Sequence, residues 1–209
     1  MTCKRADLGG IPNFCPIIHN SSVLINTSTY QFQDLEFKLN VTLIPSSSPY
    51  NRKVRTELLQ HYGRNRKFYL KRKRFDNYQS EMARSLFCLC PLGWAPWSPR
   101  LVESVLLGCI PVIIADNIRL PFPSVLRWPE ISLQVAEKDI ASLETVLDQV
   151  VATNLTRIQK NLWDPMKRKA LVFNRPMEVG DATWQVLREL EILLDQSQRR
   201  YVGSWRWRP

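Results

Sequence analysis

Residues 86–115 read LFCLCPLGWAPWSPRLVESVLLGCIPVIIA, and this stretch gives the clearest indication of the architecture. The runs at 86–90 and 110–115 are short and apolar, which is typical of strands buried on both faces of a parallel sheet. Between them, Ser98 followed by Pro99 predicts a helix start, because serine caps free backbone amides and proline fits the first helical turn. Gly108 is placed to end that helix. The stretch therefore predicts a strand–helix–strand unit and an α/β fold.

Weaker patterns extend this architecture in both directions. Towards the N-terminus they predict a helix that ends at Gly63, a strand at 68–70 and a short helix over 76–84. Towards the C-terminus they predict a strand at 131–135 and three amphipathic helices. Those helices are expected to be capped by Asp139, Thr153 and Asp181, the last with Leu187, Leu190 and Leu194 on its apolar face.

The remaining segments carry little periodicity. Residues 1–50 are rich in Ser, Thr, Asn and Pro, and a Pro-Ser-Ser-Ser-Pro run at 45–49 predicts a linker or domain boundary. We therefore expect an irregular segment at 1–50, one folded lobe at 51–196 and a basic, tryptophan-containing tail at 197–209.

Composition limits the classes of protein to which the chain can belong. The 209 residues carry a net charge of +10 and are 44% hydrophobic, which fits one domain or slightly more and excludes a disordered basic tail. No apolar run reaches the roughly 18 residues that a membrane span requires. None of the seven glycines falls in a Walker or dinucleotide-binding loop, so a phosphate ligand must be held in another way.

Five cysteines and two histidines bear on metal binding and redox state. Cys88 and Cys90 lack the spacing of a zinc knuckle, and the two histidines lie far apart in sequence, so we predict no zinc site. Burial as small hydrophobic side chains is the favoured interpretation of the cysteines. The sequence leaves open whether glycosylation occurs at its four N-x-[ST] frames, which begin at Asn20, Asn26, Asn40 and Asn154.

Candidate binding residues cluster after the first strand of the unit. In an open parallel sheet, ligands bind outside the carboxyl ends of the strands, where helix N-termini present free amides. Arg100 and Glu103 lie one turn apart at the predicted helix start, where a guanidinium suits phosphate oxygens and a carboxylate suits ribose hydroxyls. Trp94 and Trp97 in the preceding loop can stack on a base or sugar, and Asp116 follows the next strand.

A purely structural interpretation of the same residues stands beside this one. Arg100 and Glu103 can pair with each other, and the two tryptophans can be packing residues. Spacing alone favours that interpretation.

A family resemblance favours binding instead. The quoted stretch, RFDNYQSE at 74–81, VAEKDI at 135–140 and GDATWQVL at 180–187 resemble the exostosin-type glycosyltransferases of plant cell walls, glycosyltransferase family 47. Within that family the chain is most similar to the irregular-xylem and fragile-fiber branch, described as glucuronoxylan glucuronosyltransferases. The resemblance extends from about Arg52 to Gln196.

The resemblance implies a two-lobed enzyme of the GT-B type with Rossmann-like lobes, of which this chain supplies the C-terminal, donor-binding one. It implies inverting transfer of a glucuronosyl or xylosyl group from a UDP-sugar to a polysaccharide acceptor in xylan synthesis. It further implies a Golgi location through a type II membrane anchor upstream, and association with other xylan-synthesis proteins.

Carried over to this sequence, the family's donor-site motif falls on Ser98, Pro99, Arg100 and Glu103, with Glu103 as the ribose or sugar ligand. No Asp-x-Asp motif occurs, so basic groups and helix amides are expected to stabilise the diphosphate without a metal cofactor. Asn117 departs from the glycine that relatives more often carry. The family's N-terminal half is not matched, so we expect a truncated donor lobe that is incapable of full catalysis alone and whose catalytic base is not identifiable.

The positive charge supports a competing function. Between Arg52 and Arg74 stand ten basic residues and one acid, Glu57, so this stretch carries +9 of the net +10. Aromatic residues interleave with it, a pattern that can mark single-stranded nucleic-acid binding. The alternative is thus a non-catalytic module for nucleic acid or acidic polysaccharide, although no nucleic-acid-binding motif accompanies the charge. Its basic patch comprises Arg64, Arg66, Lys67, Lys71, Arg72, Lys73 and Arg74.

Overall fold

The computed structural model describes residues 39–42, 52–71, 77–91 and 99–204, and it confirms the predicted α/β architecture. Its strands are β1 (Leu39–Thr42), β2 (Phe68–Lys71), β3 (Phe87–Pro91), β4 (Ile110–Ile114) and β5 (Leu133–Val135). Its helices are α1 (Arg52–Tyr62), α2 (Tyr78–Ala83), α3 (Pro99–Leu107), α4 (Pro123–Leu126), α5 (Leu143–Thr153), α6 (Leu155–Leu162), α7 (Pro165–Lys169) and α8 (Ala182–Ser204). All the strand pairs are parallel, in the order β2-β1-β3-β4-β5.

The centre of the sheet is the strand–helix–strand unit that the sequence predicts. Every residue of β3 and β4 is buried, and the two strands pair from Phe87 opposite Ile110 to Pro91 opposite Ile114. Helix α3 packs Leu101 and Val105 into the same core. Burial on both faces explains why these strands are apolar at every position rather than at alternate ones.

One inner strand lies in the segment expected to be irregular. β1 pairs with β2 from Leu39 opposite Phe68 to Thr42 opposite Lys71, and on its other side with β3. The expectation that 1–50 is irregular is therefore wrong at 39–42. Residues 45–49 lie outside the described residues, so the boundary predicted there stays a prediction. A four-residue strand containing Asn and Thr shows no apolar run that would predict it. Backbone pairing with β2 and β3 stabilises its extended conformation instead.

The predicted helices exist, but two of their three caps are wrong. Residues Glu137–Ser142 form a 3₁₀ helix that contains Asp139, and α5 begins only at Leu143. The hydroxyl of Thr153 donates to the Gln149 carbonyl at the end of α5 instead of capping α6. Asp181 does cap α8, since its Oδ1 accepts the Trp184 amide proton at 2.9 Å. Short polar side chains thus hydrogen-bond to the backbone at the end of a helix as well as at its start.

The apolar face of α8 does not turn inward. Leu187, Leu190 and Leu194 are 51%, 51% and 64% exposed, whereas Ala182 and Gln185 in the first turn are buried. The leucines have the periodicity of a core helix, but only the start of α8 packs against the domain. None of the helices in the described residues is both long and apolar enough to cross a bilayer.

The cysteines combine burial with a covalent link that the spacing did not indicate. Cys88, Cys90 and Cys109 are all buried, as predicted. Cys88 in β3 and Cys109, just before β4, form a disulfide across the two central strands, with Cα atoms 5.7 Å apart. Cys90 keeps its thiol, and burial raises its pKa to about 11.

Candidate functional site

The strand order creates one position where a ligand crevice is expected. The chain leaves β1 towards β2 on one side, and its later strands are added beside β3 on the other. In doubly wound sheets of this order, ligands bind at that reversal, outside the carboxyl ends of β1 and β3. Helix α1 follows β1 and helix α3 follows β3, so the first turns of these two helices flank the crevice.

A tyrosine joins the two predicted site residues of α3. The Nε of Arg100 donates to the Tyr78 hydroxyl at 3.0 Å, and that hydroxyl donates to Oε2 of Glu103 at 2.9 Å. The Arg100 guanidinium carbon also lies 5.9 Å from the centre of the Tyr78 ring. Tyr78 is the first residue of α2, so three side chains from two helices form one hydrogen-bonded chain.

Arg100 is an unusually buried cation. It is only 7% exposed, and arginines are seldom so buried unless they are paired. Ser104, one turn along α3, donates its hydroxyl proton to the Arg100 carbonyl at 2.6 Å. Packing and hydrogen bonding therefore fix the position of this guanidinium, which favours recognition of a particular anion geometry.

A second arginine, Arg55 in the first turns of α1, belongs to the same cluster. Burial, and to a smaller extent the positive charge of Arg100, lower the pKa of Arg55. An arginine stays protonated under such shifts. The half-buried Arg55 and the buried Arg100 therefore place two positive charges near each other. Guanidinium groups suit the oxygens of a phosphate group, so the chemistry of this position is compatible with a diphosphate.

The hydroxyl of Tyr78 is held in its neutral form. Burial raises its pKa to about 12, with the Glu103 carboxylate acting in the same direction and Arg100 acting against it. The hydroxyl consequently remains a hydrogen-bond donor to Glu103 at neutral and moderately alkaline pH. One oxygen of that carboxylate is oriented by Tyr78, and the carboxylate can accept a sugar hydroxyl proton with the other.

The structure therefore corrects the direct pairing that spacing favoured. In the described residues, the contacts between Arg100 and Glu103 run through Tyr78 and not from one side chain to the other. Trp94, Trp97 and Ser98 lie outside the described residues, so their assignment stays a prediction.

Asp116 lies at the carboxyl edge of the sheet, two residues after the end of β4. Its backbone amide donates to Oε1 of Glu137 at 3.2 Å, and its Oδ1 accepts the Glu137 amide proton at 3.3 Å. Glu137 follows β5, so the reciprocal bonds tie together the ends of two neighbouring strands. This gives Asp116 a structural task in addition to the predicted one.

The predicted absence of a zinc site is not contradicted. Within residues 39–42, 52–71, 77–91 and 99–204, no three His, Cys, Asp or Glu side chains are grouped so as to hold a metal ion.

The predicted basic patch is less uniform than its sequence. Lys67 forms ion pairs with Glu144 at 2.9 Å and Asp148 at 3.1 Å, both on α5. These two hydrogen-bonded carboxylates raise the pKa of Lys67. Arg64, Arg66 and Lys71 are exposed, whereas Arg72, Lys73 and Arg74 lie outside the described residues. Part of the positive charge is thus matched within the fold, and Arg55 lies close enough to Arg100 for their charges to interact.

The family model of the exostosin GT47 domain matches residues 35–150. The chain belongs to the exostosin GT47 family. This match confirms the resemblance, and it begins 17 residues before Arg52, so that β1 is included. The expectation that the family resemblance begins at about Arg52 is therefore wrong for this strand.

Curated relatives of this GT47 domain are named as plant glycosyltransferases. It is 87% identical over 157 residues to a "Probable glucuronosyltransferase" of Oryza sativa subsp. japonica, covering 75% of the chain and 37% of that protein. It is 64% identical over 151 residues to "Probable glucuronoxylan glucuronosyltransferase IRX7" of Arabidopsis thaliana, covering 72% and 34%. It is 42% identical over 160 residues to "Probable beta-1,4-xylosyltransferase IRX10" of Arabidopsis thaliana, covering 77% and 39%. The chain thus spans about a third of the length of the curated relatives it matches.

The backbone of the GT47 domain accounts for the departure at Asn117. This residue follows Asp116 and has a φ of 56°, in the left-handed region that favours glycine. Asparagine is among the few other residues that adopt this region readily. The substitution therefore preserves the turn after β4.

Sequence reasoning missed three residues of this edge of the GT47 domain. Tyr78 lies within RFDNYQSE and Glu137 within VAEKDI, two segments that carried the family resemblance, but neither residue was singled out. Arg55 was counted only as part of the basic stretch. A periodicity argument for α1 could have found it, because its neighbours Val54 and Leu58 are buried and place it at the edge of the packed face.

Proposed function

We propose that this GT47 domain is the nucleotide-sugar-binding lobe of a glycosyltransferase that acts in xylan synthesis. The observation that carries the proposal is the cluster of Arg55, Tyr78, Arg100 and Glu103 beside the switch point of the sheet. The family and the named activities of its relatives support a glycosyl-transfer role for it.

Each side chain of the cluster has a distinct role in the proposal. Arg55 and Arg100 hold the diphosphate of a UDP-sugar, and they stabilise the negative charge that develops on it as the glycosidic bond breaks. Glu103 accepts a hydroxyl proton of the ribose or of the transferred sugar. Tyr78 is a positioning residue, because it fixes the orientation of both partners on α3.

The residues outside the cluster complete the donor site. Asp116 lines the crevice at the end of β4. The first turn of α3, after Ser98 and Pro99, contributes free amides from Arg100 onward, and the loop with Trp94 and Trp97 covers the donor. With two arginines and helix amides available, binding needs no metal cofactor. The base that activates the acceptor hydroxyl for inverting transfer lies in the acceptor lobe.

The relatives support the proposed substrates and location. The named glucuronosyl and xylosyl activities favour UDP-glucuronic acid or UDP-xylose as donor and a xylan chain as acceptor. Transfer itself belongs to the complete two-lobed enzyme. We place that enzyme in the Golgi membrane with this lobe on the lumenal side, which the Cys88–Cys109 disulfide supports because disulfides persist in oxidising compartments.

Calorimetric titration of the chain tests the donor site. We expect binding of UDP, UDP-glucuronic acid or UDP-xylose that EDTA does not abolish. Replacing Arg55, Arg100 or Glu103 by alanine should weaken binding about tenfold or more, since a hydrogen bond to a charged group contributes about 1.5–3 kcal/mol. Arg188→Ala, which removes an exposed arginine of α8, is the matched control and should bind as wild type.

The outcomes separate the proposal from its alternative. Normal nucleotide binding by all three variants would place the donor elsewhere. Absence of nucleotide binding, together with tight and steeply salt-dependent binding of single-stranded oligonucleotides, would favour the basic module formed by 52–74. The ion pairs of Lys67 with α5 count against that module.

A further inference from the structure

The fold separates the N-x-[ST] frames that the sequence could not distinguish. Asn20 and Asn26 lie outside the described residues. Asn40 lies in β1, and Asn154 lies in the turn between α5 and α6. These two positions differ sharply in what they can accommodate.

Asn154 occupies a surface turn, and both its backbone amide and its carbonyl are hydrogen-bonded. Its amide donates to the Val150 carbonyl at 2.8 Å, and its carbonyl accepts the Ile158 amide proton at 3.1 Å. The side-chain Nδ2, in contrast, makes an exposed hydrogen bond to the Thr153 hydroxyl at 3.2 Å. The carboxamide can therefore be substituted at the cost of one solvent-accessible contact, with the turn intact.

The surroundings of Asn154 leave room for a large polar group. Thr153 before it is exposed, and so are Thr156, the third residue of the frame, and the adjoining Arg157. Helix α6 buries Ile158 and Leu162 instead. A bulky, hydrophilic substituent on the turn thus extends into solvent without displacing the core residues of the helix.

Asn40 offers the opposite environment. Its backbone is paired with Tyr69 on β2 and with Cys88 on β3, which makes it part of an inner strand. Inner strands of parallel sheets are covered by helices on both faces. A glycan attached there before folding would obstruct assembly of the sheet.

The disulfide supplies an independent indication of the compartment. Cys88 and Cys109 are joined within the core, so the chain folds where thiols are oxidised. Transfer of N-linked oligosaccharides takes place in that same secretory environment.

We propose that Asn154 carries an N-linked glycan. In the transfer, the Nδ2 nitrogen forms a bond to C1 of an oligosaccharide borne on a lipid diphosphate. The C1–oxygen bond to the lipid diphosphate breaks, the diphosphate leaves with the electron pair, and Nδ2 gives up one proton. The inference goes beyond the proposed donor site, because it requires passage through the lumen but no transferase activity of this chain.

Expression of the full chain behind a cleavable secretion signal in cultured plant cells tests the inference. We expect the tryptic peptide 139–157 to carry a glycan, which peptide N-glycosidase A removes while converting Asn154 to aspartate. Asn154→Gln and Thr156→Ala should each remove one mobility step on a gel, whereas Thr156→Ser should retain it. Asn40→Gln is the control that should remove none.

The result is decisive in either direction. If the secretion signal has been cleaved and the 139–157 peptide is nevertheless unmodified, the inference is overturned. Loss of a mobility step in Asn40→Gln but not in Asn154→Gln would overturn it as well. UDP titration of the same preparation keeps the two proposals apart. Occupied Asn154 without nucleotide binding would refute only the donor site, and nucleotide binding with bare Asn154 would refute only the glycan.

Discussion

The Tyr78 hydroxyl donates to Oε2 of Glu103 at 2.9 Å, although the two residues are 25 positions apart and lie on different helices. The oxygen of the Tyr78 hydroxyl also accepts a hydrogen bond from Nε of Arg100 at 3.0 Å. One hydroxyl therefore sets the orientation of both a cation and a carboxylate. Loss of that hydroxyl should loosen two site residues without removing either charge.

Tyr78→Phe isolates this positioning role. We expect UDP affinity to fall about tenfold, which corresponds to about 1.4 kcal/mol, because the hydroxyl orients both Arg100 and Glu103 for the nucleotide. The ring and its packing remain, so the chain should stay folded, with a thermal midpoint lowered by only the few degrees that loss of the two hydrogen bonds explains. Isothermal calorimetry and a melting curve measure the two effects on one preparation.

Tyr69→Phe is the matched control for that substitution. Tyr69 lies in β2 and its ring faces the Lys71 ammonium at 4.8 Å, an interaction that phenylalanine retains. Its UDP affinity should match wild type. Equal losses in the two variants would mean that the Tyr78 hydroxyl has no specific part in binding.

Alkaline unfolding should report the environment of Tyr78. Its pKa is raised from an ordinary 10.0 to about 12 in the folded chain, chiefly by burial. Stability from the neutral hydroxyl is therefore fully present below pH 10 and is lost as the pH rises towards 12, since the unfolded chain releases the proton first. Urea unfolding across this window should show a steeper loss for wild type than for Tyr78→Phe. Parallel curves would contradict the burial of this hydroxyl.

The central unit was predictable because the apolar character of its strands reflects their burial. Strands β3 and β4 are buried on both faces and are apolar throughout, and Gly108 ends α3 with a φ of 77°, as its position suggested. β1 was not predictable, because Leu-Asn-Val-Thr owes its conformation to strands on either side.

The binding cluster was only half predictable for a related reason. Arg100 and Glu103 share one helical turn, so sequence spacing relates them. Tyr78 and Arg55 reach them only after α1, α2 and α3 have docked at the sheet, and no local pattern encodes that docking. The Cys88–Cys109 pair was hidden likewise, since an odd number of cysteines permits many connectivities.

Gly108 should be intolerant of any side chain. A Cβ atom there would lie 2.5 Å from the Trp163 ring, in addition to occupying a left-handed backbone conformation. Gly180 has a similar φ of 88°, but its Cβ would meet only Met166 at 3.8 Å. We expect Gly180→Ala to cost about 1–2 kcal/mol of unfolding free energy from the backbone alone, and Gly108→Ala about 1–3 kcal/mol more from overpacking. Equal values by denaturant titration would show that Trp163 moves away freely.

The three core cysteines should differ in reactivity. Burial raises the pKa of Cys90 to about 11, so its thiol should resist alkylation at neutral pH in the native chain and react on unfolding. Cys88 and Cys109 should react only after reduction. Mass spectrometry of the tryptic peptides 85–100 and 101–119 checks both statements, as an unreduced digest should contain them linked. Native labelling of Cys90, or separate unlinked peptides, would contradict the structure.

Helix α8 is secured at one end. Asp181 caps its start, and the Ser124 hydroxyl donates to Glu189 at 3.2 Å, but side chains from 190 to 199 are exposed. Isolated helical turns are marginal in water, so the distal half depends on its own propensity and on surface pairs such as Arg199 with Asp195. Amide hydrogens should therefore exchange with solvent in a gradient along α8, slowly near 182–189 and progressively faster towards 204. Uniformly slow exchange would indicate that the exposed leucines are covered in solution.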